Sequence, residues 1–241
     1  MSVSNNLKNI SVQIEEMTKV GLYLGHQKSQ ANPKMQPFVW TSKNGFQIID
    51  LEASARLLEK AIKFLIDVKA KGGVILLVGT GVVAQDAVKN MAEALGMPHV
   101  TERWLGGTIT NWPTISKRIA YLKDLEIKKA GGDFSKYTKY EALKLEEKMA
   151  KLEKSLGGLK SLIRLPDAVW TTSSKADHIA IVEARRKNIP VVGLVNTSGD
   201  PTEFDYPIPG NDSSRGAVSY VLEKVKDALA AVKVQEAVKA E

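Results

Sequence analysis

The sequence predicts an α/β protein, a doubly wound parallel sheet from which an antiparallel helical hairpin projects. Three apolar runs predict the sheet, at residues 74–78, 168–171 and 191–195, because strands buried on both faces are apolar throughout. A helical pattern follows each run, which is the alternation expected of β-α-β units. Between the first run and the second, a long charged stretch with regularly spaced apolar residues predicts the hairpin.

The segment before the first run predicts four elements. Ser11 is placed to cap a helix to about Val20, and the Gly, His, Asn and Pro content of residues 21–36 indicates an ordered loop. Two short strands should then pair around Asn44-Gly45, since this dipeptide tolerates the positive φ angles of a tight turn. The strands are predicted at 38–40 and 46–49, and the helix that follows at 53–69, ending at Gly72-Gly73.

The first apolar run opens a β-α-β unit, and the last two runs repeat the alternation. After the first run, the periodicity predicts a helix over residues 82–95 and an extended segment over 98–101. The later part of the sequence predicts two helices, one before the third run at residues 176–187 and one after it at 213–232. The pattern therefore predicts a doubly wound sheet.

The hairpin is predicted from a narrow apolar seam within charged, helix-forming sequence. Four residues repeat at spacings of four, three and four, as at coiled-coil contact positions: Leu145, Met149, Leu152 and Leu156. An earlier stripe can face them: Ile115, Ile119 and Leu122. The expected organisation is an α/β domain of residues 1–112 and 158–232 with an N-terminal extension at 1–36, a hairpin insertion at 113–157 and a C-terminal tail at 233–241.

Composition restricts the classes of function. The 241 residues include no cysteine, which excludes disulfides and fits a reducing compartment. No apolar run approaches the roughly 20 residues that span a bilayer, and the polar N-terminus lacks a signal-peptide stretch, so we expect a soluble protein without a membrane partner. The net charge of +7 favours a polyanionic partner. Residues 115–164 hold 13 Lys/Arg against 7 Asp/Glu and are the predicted electrostatic footprint.

One motif favours an enzyme instead. Gly79-Thr80-Gly81 through Ala84 satisfies G-x-G-x-x-G/A between a predicted strand and helix, and Glu102 is spaced to bind a ribose. The alternative function is therefore a Rossmann-like NAD(P)-dependent oxidoreductase. Against it, small residues suit any strand-to-helix turn of such a sheet, and the sequence has no P-loop, no G-x-S-x-G elbow and no paired histidines. We expect a protein that is not an enzyme, with no catalytic residue, cofactor or metal.

The residues best suited to RNA lie in one loop, residues 103–112, which mixes a cation, two indoles, glycines and hydroxyls. Arg103 can bind phosphate or stack on a base, and the glycines allow close backbone approach. Trp104 and Trp112 can stack on bases or fill the core, and the sequence leaves both uses open. Arg103 and Asn111 are the better candidates for contact.

An ordered series of motifs resembles the ribosomal protein S2 family of the bacterial small subunit. The most specific are the Arg-Trp-Leu-Gly-Gly-Thr loop at 103–108 and the Ile-Pro-Gly-Asn-Asp run at 208–212. Further matches include Gly25-His26, Asn32-Pro33-Lys34-Met35, Leu165-Pro166-Asp167-Ala168 and Glu183-Ala184. The resemblance covers roughly residues 11–225.

This resemblance implies a flavodoxin-like sheet docked on 16S rRNA, with a structural role in subunit assembly and translation initiation. It implies neighbouring small-subunit proteins as partners, including ribosomal protein S1 where present, and a location in a cytoplasmic or organellar ribosome. Asn196 and Ser213 depart from acidic residues of the family pattern, so no metal site is carried over. The candidate RNA-binding residues are His26, Lys28, Asn32, Lys34, Arg103, Asn111, Lys117, Arg118, Asn211 and Arg215.

Overall fold

The computed structural model describes residues 14–132, 134 and 137–232. The Ser11 cap, the start of the N-terminal extension and the tail at 233–241 lie outside the described residues. The strands are β1 Leu24–Gln27, β2 Val39–Lys43, β3 Phe46–Ile49, β4 Ile75–Val78, β5 His99–Val100, β6 Ala168–Thr171, β7 Val191–Val195 and β8 Tyr206–Pro209. The α-helices are α1 Ile14–Lys19, α2 Leu51–Ala70, α3 Gln85–Leu95, α4 Trp112–Ala130, α5 Lys139–Leu156, α6 His178–Arg186 and α7 Arg215–Ala230.

The main sheet has five parallel strands in the order β5-β4-β6-β7-β8. This is the flavodoxin-like order. The second strand in chain order lies on one side of the first strand, and the third lies on the other side, so the order of the strands reverses between the first and the third. The reversal here falls between β4 and β6. The predicted fold class is therefore confirmed, and a crevice is expected at the carboxyl ends of these two strands.

Two apolar layers cover the two faces of the sheet. Ile75 and Leu77 of β4 point into a layer with α1, α2, α3 and α7, whereas Leu76 and Val78 point into a layer with α6 and the base of the hairpin. This alternation follows from the two-residue period of a strand. Helix α6 and the start of α4 consequently share one face, which brings the 103–112 loop against α6.

The projecting hairpin consists of α4 and α5, as predicted. Lys148 Nζ donates to the Tyr121 hydroxyl at 3.2 Å, and Lys129 Nζ lies 2.9 Å from Glu146 Oε1, so the helices run antiparallel. Thr138 and Glu141 form a capping box at the start of α5. The α4 side of the seam is buried at Ile115, Ile119, Leu122 and Leu125. On α5 only Leu156 is fully buried, and the seam thins towards the tip.

Two strands were absent from the sequence-based expectations. Residues 21–36, predicted as a loop, contain β1, which pairs with β3 in a separate three-stranded sheet. Edge strand β8 was also missed, because Pro207 and Pro209 oppose a strand assignment and are tolerated at a sheet edge. The Asn44-Gly45 turn is confirmed, with φ angles of 53° and 81°. No helix within residues 14–132 and 137–232 is long and apolar enough to cross a membrane.

Candidate nucleic-acid interface

The 103–112 loop is organised by one buried carboxylate, that of Glu183 on α6. Its Oε1 accepts hydrogen bonds from Trp104 Nε1 at 3.0 Å and from the Gly107 amide at 2.7 Å. Its Oε2 accepts from the Ile109 amide and from both the amide and hydroxyl of Thr110, each at 3.0 Å. Five donors of the loop thus converge on one side chain.

The environment of Glu183 favours its charged form. The side chain lies on the buried side of α6 with Ala180 and Ala184, and the residue is only 5% exposed. Burial opposes ionisation, but the hydrogen bonds from Thr110, Trp104 and the neighbouring amides outweigh it and lower the pKa of Glu183 below its usual value. A carboxylate held by several N–H groups therefore fixes the loop backbone in one conformation.

The loop presents a cation and an amide to solvent. Arg103 is exposed and has no ion-pair partner among the described residues. Asn111 is exposed at the start of α4, where its Oδ1 accepts a hydrogen bond from Thr114 Oγ1 at 3.0 Å. Trp104 is 6% exposed, and Trp112 packs against the same apolar layer. The two indoles therefore serve the core and the loop anchor.

Lys117 and Arg118 extend this surface along the first turns of α4. Both are exposed, and within the part of the chain that the structure describes neither forms an ion pair. Farther along the hairpin and at its base, most lysines have partners. These contacts are Lys128 with Asp124, Lys129 with Glu146, Lys148 with Tyr121, Lys154 with Glu102, and Lys160 with Glu126 and Glu153. We call Arg103, Asn111, Lys117 and Arg118 the loop surface.

A second group of candidate residues lies where the N-terminal segment meets the end of β7. The His26 amide donates to Thr197 Oγ1 at 2.9 Å, and the Asn32 amide donates to the Thr197 carbonyl at 2.8 Å. Lys34 Nζ donates to Asp200 Oδ2 at 2.6 Å. These contacts hold the N-terminal segment against the main sheet and use some of the hydrogen-bonding groups of His26, Asn32 and Lys34.

The remaining candidates differ in accessibility. Asn211 is 8% exposed, and its side chain donates to the Gly21 carbonyl at 3.1 Å while accepting from the Ser213 amide at 2.9 Å. Lys28 and Arg215 are exposed, and Arg215 lies 3.9 Å from Asp86. The structure therefore gathers four candidates on the loop surface and distributes the other six elsewhere.

The crevice between β4 and β6, where a dinucleotide fold binds its cofactor, is occupied by an aspartate of the chain itself. Asp177 is 1% exposed, and its carboxylate accepts from the amide and hydroxyl of Thr80 and from the amides of Thr172 and Ser173. A pyrophosphate would need such amides. Glu102, the proposed ribose ligand, lies instead 3.4 Å from Lys154. The geometry thus gives no support to the oxidoreductase alternative.

Sequence reasoning did not predict that two carboxylates, Asp177 before α6 and Glu183 on α6, organise the loops around them. The Glu183-Ala184 motif carries part of the family resemblance, but the motif alone does not reveal that Glu183 anchors the loop. A detectable feature existed, since Glu183 immediately precedes Ala184 and is three residues from Ala180, in step with the apolar side of the helix. A carboxylate at such a position needs buried donors. No group of three or more metal-binding side chains occurs among the described residues.

Comparison with known proteins identifies the family. The family model described as ribosomal protein S2 matches residues 17–231. The chain belongs to the ribosomal protein S2 family. It is 46% identical over 220 residues to the small ribosomal subunit protein uS2 of Acidothermus cellulolyticus, covering 91% of this chain and 80% of that protein. The S2 match includes both the loop surface and α6, and the resemblance predicted from the motifs is confirmed.

Two further S2 proteins give the same result. The small ribosomal subunit protein uS2 of Thermobifida fusca is 46% identical over 220 residues, which cover 91% of this chain and 75% of that protein. The uS2 protein of Beutenbergia cavernae is 44% identical over 220 residues, covering 91% of this chain and 62% of that protein.

Proposed function

We propose that this S2 family protein is a structural component of the small ribosomal subunit and binds 16S rRNA through the loop surface. The observation that carries the proposal is the Glu183 anchor, which holds a glycine-containing loop rigid while Arg103 and Asn111 face solvent. A preordered loop loses little conformational entropy on binding. The resulting surface suits a folded RNA, whose backbone and exposed bases offer acceptors at defined positions.

The residues of the loop surface have two kinds of role in this proposal. Arg103, Lys117 and Arg118 contact phosphates, and the planar guanidinium groups can do so with two hydrogen bonds. Asn111 hydrogen-bonds a base edge or a 2′-hydroxyl. Lys28 and Arg215 add phosphate contacts outside the loop surface.

The other candidate residues support binding indirectly. His26, Asn32, Lys34 and Asn211 fasten the N-terminal segment to the sheet through the contacts described above. We infer that their part in RNA binding is to hold this segment in position. Contacts with neighbouring small-subunit proteins, including S1 where it is present, complete a role in assembly and translation initiation. We propose no reaction for the chain, because Asp177 fills the crevice that a cofactor would need.

The direct test of this function is sedimentation of tagged protein from its source cells. We expect the protein to travel with small ribosomal subunits. Purified protein should also bind small-subunit rRNA with an affinity that falls steeply with salt, because cations on the protein displace condensed counterions. Protein that sediments only in the free fraction would contradict the proposed function.

A pair of double variants tests the loop surface itself. Arg103→Ala with Asn111→Ala should reduce incorporation into small subunits by about tenfold, because each loses an oriented contact. Lys151→Ala with Lys154→Ala is the control on the hairpin, where the lysines contribute diffuse charge, and should reduce incorporation by less than about twofold. Equal incorporation of two folded double variants would remove the loop surface from the RNA interface.

A further inference from the structure

The end of α6 carries a cluster of cations that the loop surface does not include. Arg185, Arg186 and Lys187 are consecutive and exposed. Across residues 14–132 and 137–232 none of the three has an acidic partner. Three adjacent unpaired cations repel one another, so an isolated protein gains little from keeping them together.

Capping of the C-terminus of α6 does not account for these cations. The Ile189 amide donates to the Ala184 carbonyl at 2.9 Å, the Asn188 amide donates to the Arg185 carbonyl at 3.0 Å, and Asn188 adopts a left-handed φ of 54°. This backbone arrangement satisfies the terminal carbonyls without side chains. Attraction to the helix dipole is worth about 0.3–1 kcal/mol for a cation in the last turn, which one residue would supply.

The position of two of the cations is set by Glu183. Residues three and four apart lie on the same side of a helix, so Arg186, and Lys187 at the C-cap that follows it, continue the side of α6 that faces the 103–112 loop. At 1.5 Å per residue they lie about 4.5 and 6 Å farther along the helix axis than Glu183. Glu183 itself bonds the amides of Gly107, Ile109 and Thr110. Arg185, two residues from Glu183, points to another side of the helix.

We propose that Arg186 and Lys187 form a second phosphate-binding site that continues the loop surface onto α6. The ligand is the sugar-phosphate backbone of the same structured RNA, and the inference rests on the proposed function. Arg186 suits bidentate binding of a phosphate, and Lys187 supplies a point charge beside it. The backbone of one RNA segment passes from the 103–112 loop to the end of α6, because Glu183 holds the two elements together.

The experiment compares neighbouring substitutions in the full-length protein. Arg186→Gln and Arg185→Gln each remove one charge from the same exposed helical turn, so the two variants differ only in the side of the helix that loses the charge. Binding to rRNA extracted from small subunits is measured at several salt concentrations, and circular dichroism checks folding. Arg186→Gln should weaken binding about fivefold and lower the slope of log affinity against log salt by about 0.7–0.9, whereas Arg185→Gln should stay within about twofold of wild type. Adding Lys187→Gln to Arg186→Gln should lower the slope again by a similar amount.

The possible results separate this inference from the proposed function. If the wild-type protein binds the rRNA and Arg186→Gln behaves like Arg185→Gln, the second site is wrong and the loop surface stands. If the wild type does not distinguish the rRNA from an unrelated structured RNA, both proposals fail. A loss of rRNA affinity in Arg186→Gln, but not in Arg185→Gln, supports the site.

Discussion

The loop surface and the rest of the helical hairpin both present cations, but they differ in how those cations are paired. In the loop, an internal carboxylate accepts hydrogen bonds from the backbone amides, and Arg103 has no ion-pair partner in the part of the chain that the structure describes. Farther along the hairpin and at its base, several lysines pair with acidic residues, as Lys129 does with Glu146 and Lys160 with Glu153. The pairing of cations, more than their number, therefore indicates where a polyanion can bind.

Different energies also hold the two regions. The loop depends on one buried, charged hydrogen-bond acceptor, and such bonds are stronger than neutral ones. The hairpin depends on its apolar seam, to which surface ion pairs add at most about 1 kcal/mol each. A single polar substitution should therefore disorder the loop, whereas the hairpin should tolerate the loss of any one charge.

The largest effect is expected from Glu183→Gln. A neutral amide cannot accept from all five donors, and its own NH₂ group would face them, so we expect a loss of about 2–3 kcal/mol in the free energy of unfolding. Affinity for rRNA should fall about tenfold because the loop is no longer preordered. Urea unfolding measures the loss of stability, titration with rRNA measures the loss of affinity, and hydrogen exchange at the Gly107, Ile109 and Thr110 amides reports the loss of loop order.

The matched control is Glu146→Gln on the hairpin, where the glutamate is 46% exposed and pairs with Lys129. Its unfolding free energy should change by less than about 0.5 kcal/mol. Similar losses in the two variants would refute the distinction between a loop anchored by Glu183 and a hairpin with dispensable charges.

The difference between wild type and Glu183→Gln should depend on pH. Burial alone would raise the pKa of Glu183, but bonds from Thr110, Trp104 and the nearby amides lower it from the usual 4.5. The charged form therefore stabilises the native state above the unfolded pKa, and this contribution is lost as pH falls through the lowered folded pKa. Urea unfolding of both proteins should show the full gap at neutral pH and a smaller one as the pH falls below the usual pKa of a glutamate. A gap that is constant down to acid pH would contradict an ionised anchor.

The sequence predicted the elements that repeat a period and missed those that depend on distant partners. The apolar run of β4 and the seam of α5 follow local periods, so both were predicted correctly. Strand β8 contains two prolines and forms because β7 lies beside it, which no local pattern records. Likewise, Arg103 was recognisable by residue type, but the loop depends on Glu183, which is about 80 positions away along the chain.

The basic segment at 115–164 illustrates the same limit. Its excess of cations is real in the sequence, and the pair of Lys128 with Asp124 is local to one helix. The pairing of Lys129 with Glu146 and of Lys160 with Glu126, however, emerges only when the hairpin folds back on itself. Charge counted along the chain therefore does not reveal which of these cations are already paired with acids.

The next largest change in stability is expected at the base of the hairpin, where it joins the sheet. Gly158 lies against the carbonyl and ring of His99, and an added Cβ would overlap both. Gly158→Ala should therefore cost about 2 kcal/mol of unfolding free energy, as overpacking does. Gly106→Ala in the loop is the control, since no atom lies within 4 Å of its added Cβ, and we expect little change. Thermal and urea unfolding compare the two, and an equal cost would show that the hairpin base has room to adjust.

The smallest effect is expected from Lys129→Gln, and it tests the hairpin directly. Lys129 Nζ lies 2.9 Å from Glu146 Oε1, with both side chains nearly half exposed, so solvent already screens the pair. We expect less than about 0.5 kcal/mol in stability from urea unfolding. Affinity for rRNA should stay within about twofold, because a lysine neutralised by Glu146 displaces few counterions from RNA. A loss of affinity as large as that expected for Arg186→Gln would place this face of the hairpin on the RNA and remove the contrast between paired and unpaired cations.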